Sequence, residues 1–117
     1  MPVVTPQEPQ TARFQEKRDA ILNAASLQFN AQGVKGATLA EIAASVGLVT
    51  NSVTYYYRKK EDLAAACFLR VIARFDEIAK AAAAGTTVEE RVRSFLRLHA
   101  ELLAAVQLGQ HWPLVML

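Results

Sequence analysis

Hydrogen-bonding and cationic side chains are concentrated in one short segment, TNSVTYYYRKK, which spans residues 50–60. Asparagine can form two hydrogen bonds with adenine, and serine and threonine hydroxyls can bond several bases. Arginine and lysine bind phosphate oxygens. No acidic residue interrupts the segment. A surface of this composition suits the base edges and phosphates of a nucleic acid.

The segment predicts a helix of about two turns with two unlike sides. At about 100° per residue, Val53 and Tyr57 lie on one side and Tyr56 lies at its edge. The opposite side carries polar residues: Asn51, Ser52, Thr54 and Tyr55. We therefore expect Val53 and Tyr57 to pack inward, and the polar side to stand free.

A second short helix is predicted immediately before this one. The sequence TLAE at 38–41 matches a capping box, in which Thr38 and Glu41 exchange hydrogen bonds at the start of a helix. Gly47 follows that helix where a left-handed residue is favoured. A helix, a glycine-containing turn and a second helix form the helix-turn-helix arrangement, whose second helix enters the DNA major groove. An ordinary solvent-exposed polar helix is the alternative, and this combination weakens it.

Apolar periodicity predicts three more helices and no strand. The first spans about residues 13–32 and ends at Gly33 and Gly36, with Ile21, Ala25 and Phe29 recurring every four residues. The second of these helices spans about residues 61–84. The third begins at a second capping-box sequence, TVEE, at 87–90. Their apolar stripes are Leu63, Cys67, Val71, Phe75 and Ile78, and then Val92, Phe95, Leu96, His99, Leu102, Leu103 and Val106. An all-α fold is expected.

The composition and charge of the chain limit the classes of protein to which it can belong. The 117 residues, 52% of them hydrophobic, can form one domain, or one small domain and part of another. Residues 13–60 hold seven cations and three acids, a net charge of +4, whereas residues 61–117 carry −1, so a polyanionic partner is indicated. The lone Cys67 excludes an internal disulfide and predicts buried packing, with a redox sensor as the alternative. No apolar run approaches the ~20 residues needed to span a bilayer, and we expect a soluble cytoplasmic protein without a membrane partner.

The run ILNAASLQFNAQGVKGATLAEIAASVGL, followed by VTYYYRKKEDL, resembles the tetracycline-repressor (TetR/AcrR) family of bacterial transcriptional regulators. Shared features include Ile-Leu-x-Ala-Ala, a threonine opening the second helix, Ile-Ala, a tyrosine-rich third helix and a closing Lys-Glu-Asp-Leu. The resemblance covers about residues 17 to 63, less than half of the chain.

This resemblance implies a regulator, expected to be a repressor, that binds an operator as a homodimer and is released by a small-molecule effector. The implied organisation is a flexible N-terminal arm over residues 1–12, a three-helix DNA-binding domain over 13–60, and a connecting helix with the first part of a helical ligand-binding and dimerisation domain over 61–117. No cofactor is implied. The alternative is a helical small-molecule-binding or protein-interaction module that does not bind DNA.

The resemblance also assigns roles to residues of the helix-turn-helix. Thr38 corresponds to a phosphate contact at the second helix, and Lys60 to the usual phosphate-binding lysine. The positions corresponding to contacts of the third helix are Thr50, Asn51, Ser52, Thr54, Tyr55 and Tyr56. Three positions depart from the family pattern: Thr54 where tyrosine is common, and Val49 and Lys59 where serines cap the third and fourth helices. The operator preference therefore does not transfer.

Other residues are weaker candidates. His99, His111 and Trp112 could contact an effector, although packing explains each of them as well. No catalytic set, phosphate-binding glycine loop or metal-ligand spacing is present in the sequence, so we expect neither an enzyme nor a metal site. The apolar residues 114–117 predict the start of a further helix that would bury itself against something absent, and we expect the chain to be incomplete.

Overall fold

A computed structural model describes the backbone of residues 4–116 and the side chains of residues 11–116. Its five helices are α1 (Val4–Gly36), α2 (Leu39–Ser45), α3 (Thr50–Tyr56), α4 (Lys60–Ala82) and α5 (Val88–Gln107). No strand occurs in residues 4–116, and the all-α prediction is confirmed. Helix α1 packs against α2 and α4, α2 packs against α3, and α5 packs against α4. None of these helices has the length and apolar character that crossing a membrane requires.

Helix α1 extends further towards the N-terminus than the sequence predicted. The backbone of residues 4–12 is helical, where the sequence predicted an arm; residues 1–3 lie outside the described part. Pro6 is compatible with the helix because the amides of a first turn have no intrahelical partner. At the other end Gly33 has φ 75° and ψ 166°, which interrupts the helical backbone where the sequence predicted an end.

The helix-turn-helix forms as its local signals predicted. The Glu41 amide donates to the Thr38 hydroxyl at 3.1 Å, and the Thr38 amide donates to the Glu41 carboxylate at 3.2 Å. Gly47 follows α2 with φ 70°, a conformation that costs other residues energy because of their Cβ atom. Helix α3 then begins after Val49, which makes no side-chain cap.

An apolar core joins all five helices, with Leu102 as its buried member on α5. Its fully buried members include Ile21, Phe29, Ile42, Val53, Leu63 and Cys67. The Cys67 thiol donates to the carbonyl oxygen of Leu22 at 3.7 Å, and burial raises the pKa of this thiol. A buried thiol that stays protonated is a poor nucleophile, which fits a packing role for Cys67.

Helix α5 buries less of its apolar stripe than predicted. Leu102 is buried, but Val92, Phe95, Leu96 and Leu103 are exposed, as is Phe75 on α4. The second capping box is also incomplete. The Thr87 hydroxyl accepts from the Glu90 amide at 3.1 Å, but the Glu90 carboxylate accepts from the Thr86 amide and hydroxyl instead of the Thr87 amide.

The segment after α5 packs against α1 without forming a helix. Leu114 and Val115 are 2% and 4% exposed and belong to the core, so the prediction of an absent partner is wrong for these two residues. Met116 is 64% exposed, and Leu117 lies outside the described residues. The Asn30 side-chain amide donates to the carbonyl of Leu114 at 2.8 Å and accepts from the Met116 amide at 2.7 Å. Asn30 thus fixes this extended segment on the first helix.

Candidate nucleic-acid interface

The two sides of α3 have the predicted orientation. Val53 is fully buried, and Tyr57, just after the helix, is half-buried; burial raises the pKa of Tyr57. On the opposite side Asn51 is exposed and Tyr55 has 76% of its surface exposed. The Asn51 amide and the Tyr55 hydroxyl are therefore presented outward from a helix that is anchored from behind.

The remaining polar residues of α3 flank this outward side. Thr50 is exposed at the first position of the helix, while Ser52, Thr54 and Tyr56 are half-buried. The Thr54 hydroxyl donates to the carbonyl oxygen of Asn51 at 3.0 Å. Its proton is thus engaged, which leaves the hydroxyl oxygen and the methyl group for contacts with a partner.

The side chain of Phe14 on α1 lies against the tyrosines of α3. Its ring centroid is 6.4 Å from that of Tyr55 in an edge-to-face arrangement and 4.8 Å from that of Tyr56. The two tyrosine rings are themselves 5.2 Å apart and nearly perpendicular. Together Phe14, Tyr55 and Tyr56 form an aromatic cluster that joins α1 to the outward side of α3.

Lys17 also reaches this side of α3. It lines a cleft of about 230 Å³ together with Leu48, Ser52, Tyr55 and Tyr56. Neither Phe14 nor Lys17 was predicted to lie here, although the sequence carries a signal for Phe14. Phe14 precedes Ile21 by seven residues, two helical turns, so the apolar stripe of α1 continues back to it.

Thr38 is exposed at the start of α2, as a phosphate contact requires, but its hydroxyl is already engaged. The hydroxyl donates to the Glu41 carboxylate at 3.0 Å while it accepts from the Glu41 amide. A phosphate at this position would approach a carboxylate and would compete with it for the Thr38 proton.

The three cations after α3 have different surroundings. Arg58 and Lys59 are exposed, and Lys59 precedes the first residue of α4 without making a side-chain cap. The Lys60 ammonium group instead donates to the carbonyl oxygens of Lys35 at 3.1 Å and Ala37 at 2.9 Å. Because an ammonium group has three donors, one remains for a phosphate. Lys60 therefore also holds the end of α1 and the loop that follows it, which the sequence did not reveal.

The weaker ligand candidates lie in two separate places. The His99 ring stands beside Phe95 and Phe75, with centroid separations of 4.3 Å and 5.4 Å. Its Nδ1 atom is 2.8 Å from the carbonyl oxygen of Phe95. His111 and Trp112 instead line a cavity of about 480 Å³ between α1 and the end of α5. The structure does not bring the three candidates together.

Arginines of α4 hold the segment that contains His111 and Trp112. The Arg74 guanidinium donates to Nε2 of His111 at 3.3 Å, and the Nδ1 atom of His111 is 2.8 Å from the Trp112 carbonyl oxygen. The Arg70 guanidinium lies 4.0 Å from the centre of the Trp112 ring, in cation–π geometry. His111 and Trp112 therefore both have packing partners, in addition to lining the cavity.

Comparison with known families agrees with this geometry. Residues 21–67 match the family of bacterial regulatory proteins, tetR family, a span that contains α2, α3 and parts of α1 and α4. No curated protein and no solved structure matched the chain. Among the side chains that the structure describes, no group of three or more histidine, cysteine or acidic residues is arranged to hold a metal ion. Residues 21–67 are therefore similar to the N-terminal helix-turn-helix domain of TetR-family regulators, a non-enzymatic family, and this similarity implies a DNA-binding transcriptional regulator.

Proposed function

We propose that this chain represses transcription by inserting α3 into the major groove of an operator, with Asn51 and Tyr55 contacting base edges. The observation that carries the proposal is the exposure of these two side chains opposite the buried Val53. Asparagine can pair with adenine through two hydrogen bonds. Flanking contacts to bases or backbone are assigned to Thr50, Ser52, Thr54 and Tyr56.

Phosphate contacts on both sides of α3 would orient it in the groove. Arg58 and Lys59 are exposed cations directly after α3, and we assign the strongest of these contacts to them. The third donor of Lys60 and the first turn of α2 at Thr38 supply weaker ones, because Lys60 already bonds two carbonyls and Thr38 bonds Glu41.

Selection of bound sequences from random duplexes tests the proposal. We expect enrichment of a pseudo-palindromic site, with half-sites spaced one helical turn (about 34–36 Å) or a multiple of it, because two copies would bind adjacent major grooves. Enrichment of a single, unpaired half-site would contradict only the proposal that the chain binds as a homodimer. Failure to enrich any sequence would contradict the operator-binding proposal and favour a small-molecule-binding or protein-interaction module.

Replacing Lys59 by alanine should weaken binding to all DNA sequences alike. Each lost phosphate contact reduces the slope of log K against log salt concentration by about 0.9. Titration of the selected duplex and of a random duplex at several salt concentrations measures this slope. Arg93→Ala is the matched control, since Arg93 is an exposed cation on α5 that pairs with Glu89. If the slope for Lys59→Ala equals that of the wild-type chain, Lys59 does not contact a phosphate.

We further propose that residues 13–60 act as the DNA-binding unit and that an effector bound in the helical part after residue 60 moves α4. Support comes from the connections between the two parts. Asn30 of α1 bonds the backbone at Leu114 and Met116, and the Arg70 guanidinium of α4 donates to the side-chain oxygen of Asn23 on α1 at 2.9 Å. An effector changes DNA affinity only if it binds the two arrangements of α4 with different affinity.

A thermal-shift screen of small molecules, followed by DNA titration with each hit, tests this coupling. We expect hits to lower DNA affinity by about 5- to 150-fold, the range of typical coupling between two sites. Asn30→Ala removes both bonds to the segment after α5 and should reduce that factor, whereas Gln107→Ala, which removes an exposed amide at the end of α5, should leave it unchanged. Hits that bind without altering DNA affinity would contradict effector control.

A further inference from the structure

The aromatic cluster places a residue from outside the family match beside a proposed base contact. Phe14 lies seven residues before the matched span of 21–67 begins, so the match assigns it no role. Its ring nevertheless contacts Tyr55 edge-on, with 76° between the ring planes. Phe14 is itself 39% exposed, so its contribution to the core is limited.

An exposed tyrosine loses rotamer freedom when it is fixed against DNA. Tyr55 is 76% exposed, and within the described part of the chain its ring is packed against Phe14 and Tyr56. Perpendicular aromatic pairs at these separations attract each other beyond the effect of buried area. A side chain that is held in its bound orientation before binding loses less entropy on association. Phe14 can therefore strengthen the base contact of Tyr55 without itself touching DNA.

We propose that Phe14 is a positioning residue for Tyr55, which it holds in the orientation that reads the operator. This inference rests on the proposed function, since it needs Tyr55 to contact bases. It adds a determinant of sequence specificity on α1. The effect should be selective, because an oriented Tyr55 matters where its base contact is made and much less on random DNA.

Phe14→Ala should lower the ratio of affinities for the selected and random duplexes by roughly 2- to 10-fold, the strength of one aromatic pair. Phe14→Tyr retains the ring and should preserve the ratio, while Phe14→Leu retains apolar bulk alone and should not. Phe75→Ala is the matched control, because Phe75 on α4 is 38% exposed and should leave the ratio unchanged. Circular dichroism melting checks that each variant is folded.

A double-mutant cycle with Tyr55→Ala separates positioning from a direct or merely structural role. If Phe14 acts through Tyr55, Phe14→Ala should have no further effect on the ratio once Tyr55 is alanine. An unchanged ratio in the single Phe14→Ala variant, or an equal loss in both backgrounds, would overturn the inference and leave the operator proposal intact. If the wild-type chain itself shows no sequence preference, both the operator proposal and this inference are contradicted.

Discussion

Replacing Phe29 by alanine should lower the free energy of unfolding by about 3–5 kcal/mol, a typical cost for removing a buried aromatic ring. Phe29 is fully buried on α1, in the core that the five helices share. Total stabilities of domains are only about 5–15 kcal/mol, so this variant should lose much of its folded population and its DNA binding together. Urea denaturation followed by circular dichroism measures the change.

Leu27→Ala provides the matched comparison for Phe29. Leu27 lies two residues away on the same helix but is 58% exposed. Its truncation should change the free energy of unfolding by no more than about 0.5 kcal/mol. Similar losses in the two variants would contradict the orientation of α1 that places Phe29 in the core.

Asn51→Ala should reduce affinity for the selected operator by about 1–3 kcal/mol, roughly 5- to 150-fold, because a bidentate contact to adenine is lost. Affinity for random DNA should change little, since the side chain carries no charge. Stability should also be preserved, because Asn51 is exposed. Fluorescence anisotropy titrations on both duplexes measure the difference.

Gln32→Ala is a suitable control for Asn51, as it removes an exposed amide from α1 within the same domain. It should leave both affinities unchanged. Equal losses on the selected and random duplexes for Asn51→Ala would assign Asn51 to the DNA backbone or to folding, and would contradict its role in reading bases.

The helix-turn-helix was predictable because its determinants are local. The Thr38 capping box, the left-handed Gly47 and the four-residue spacing of Val53 and Tyr57 each act within one or two helical turns. These short-range signals agree about where α2 ends and which side of α3 faces inward. When local signals agree in this way, the structure of a segment can be predicted without knowledge of its tertiary contacts.

Apart from the start of α1 and the second capping box, the differences arose where distant parts of the chain meet. Periodicity identified the apolar stripe of α5 but not what covers it, and residues such as Leu96 remain exposed. The bonds from Asn30 to the backbone at Leu114 and Met116 span more than eighty residues of sequence. The Lys60 bonds to the loop before α2 and the Phe14 contact with Tyr55 have the same character. Sequence spacing carries no information about such pairs.

Single-atom substitution in the DNA tests most directly whether the Asn51 side of α3 enters the major groove. Each purine of the selected duplex is replaced in turn by its 7-deaza analogue, which lacks the N7 acceptor in the major groove and keeps base pairing and the minor groove intact. We expect affinity to fall roughly fivefold, about 1 kcal/mol, at the adenine contacted by Asn51, since one hydrogen bond is lost there. That loss should vanish with Asn51→Ala. Equal affinity for every substituted duplex would contradict major-groove recognition by α3.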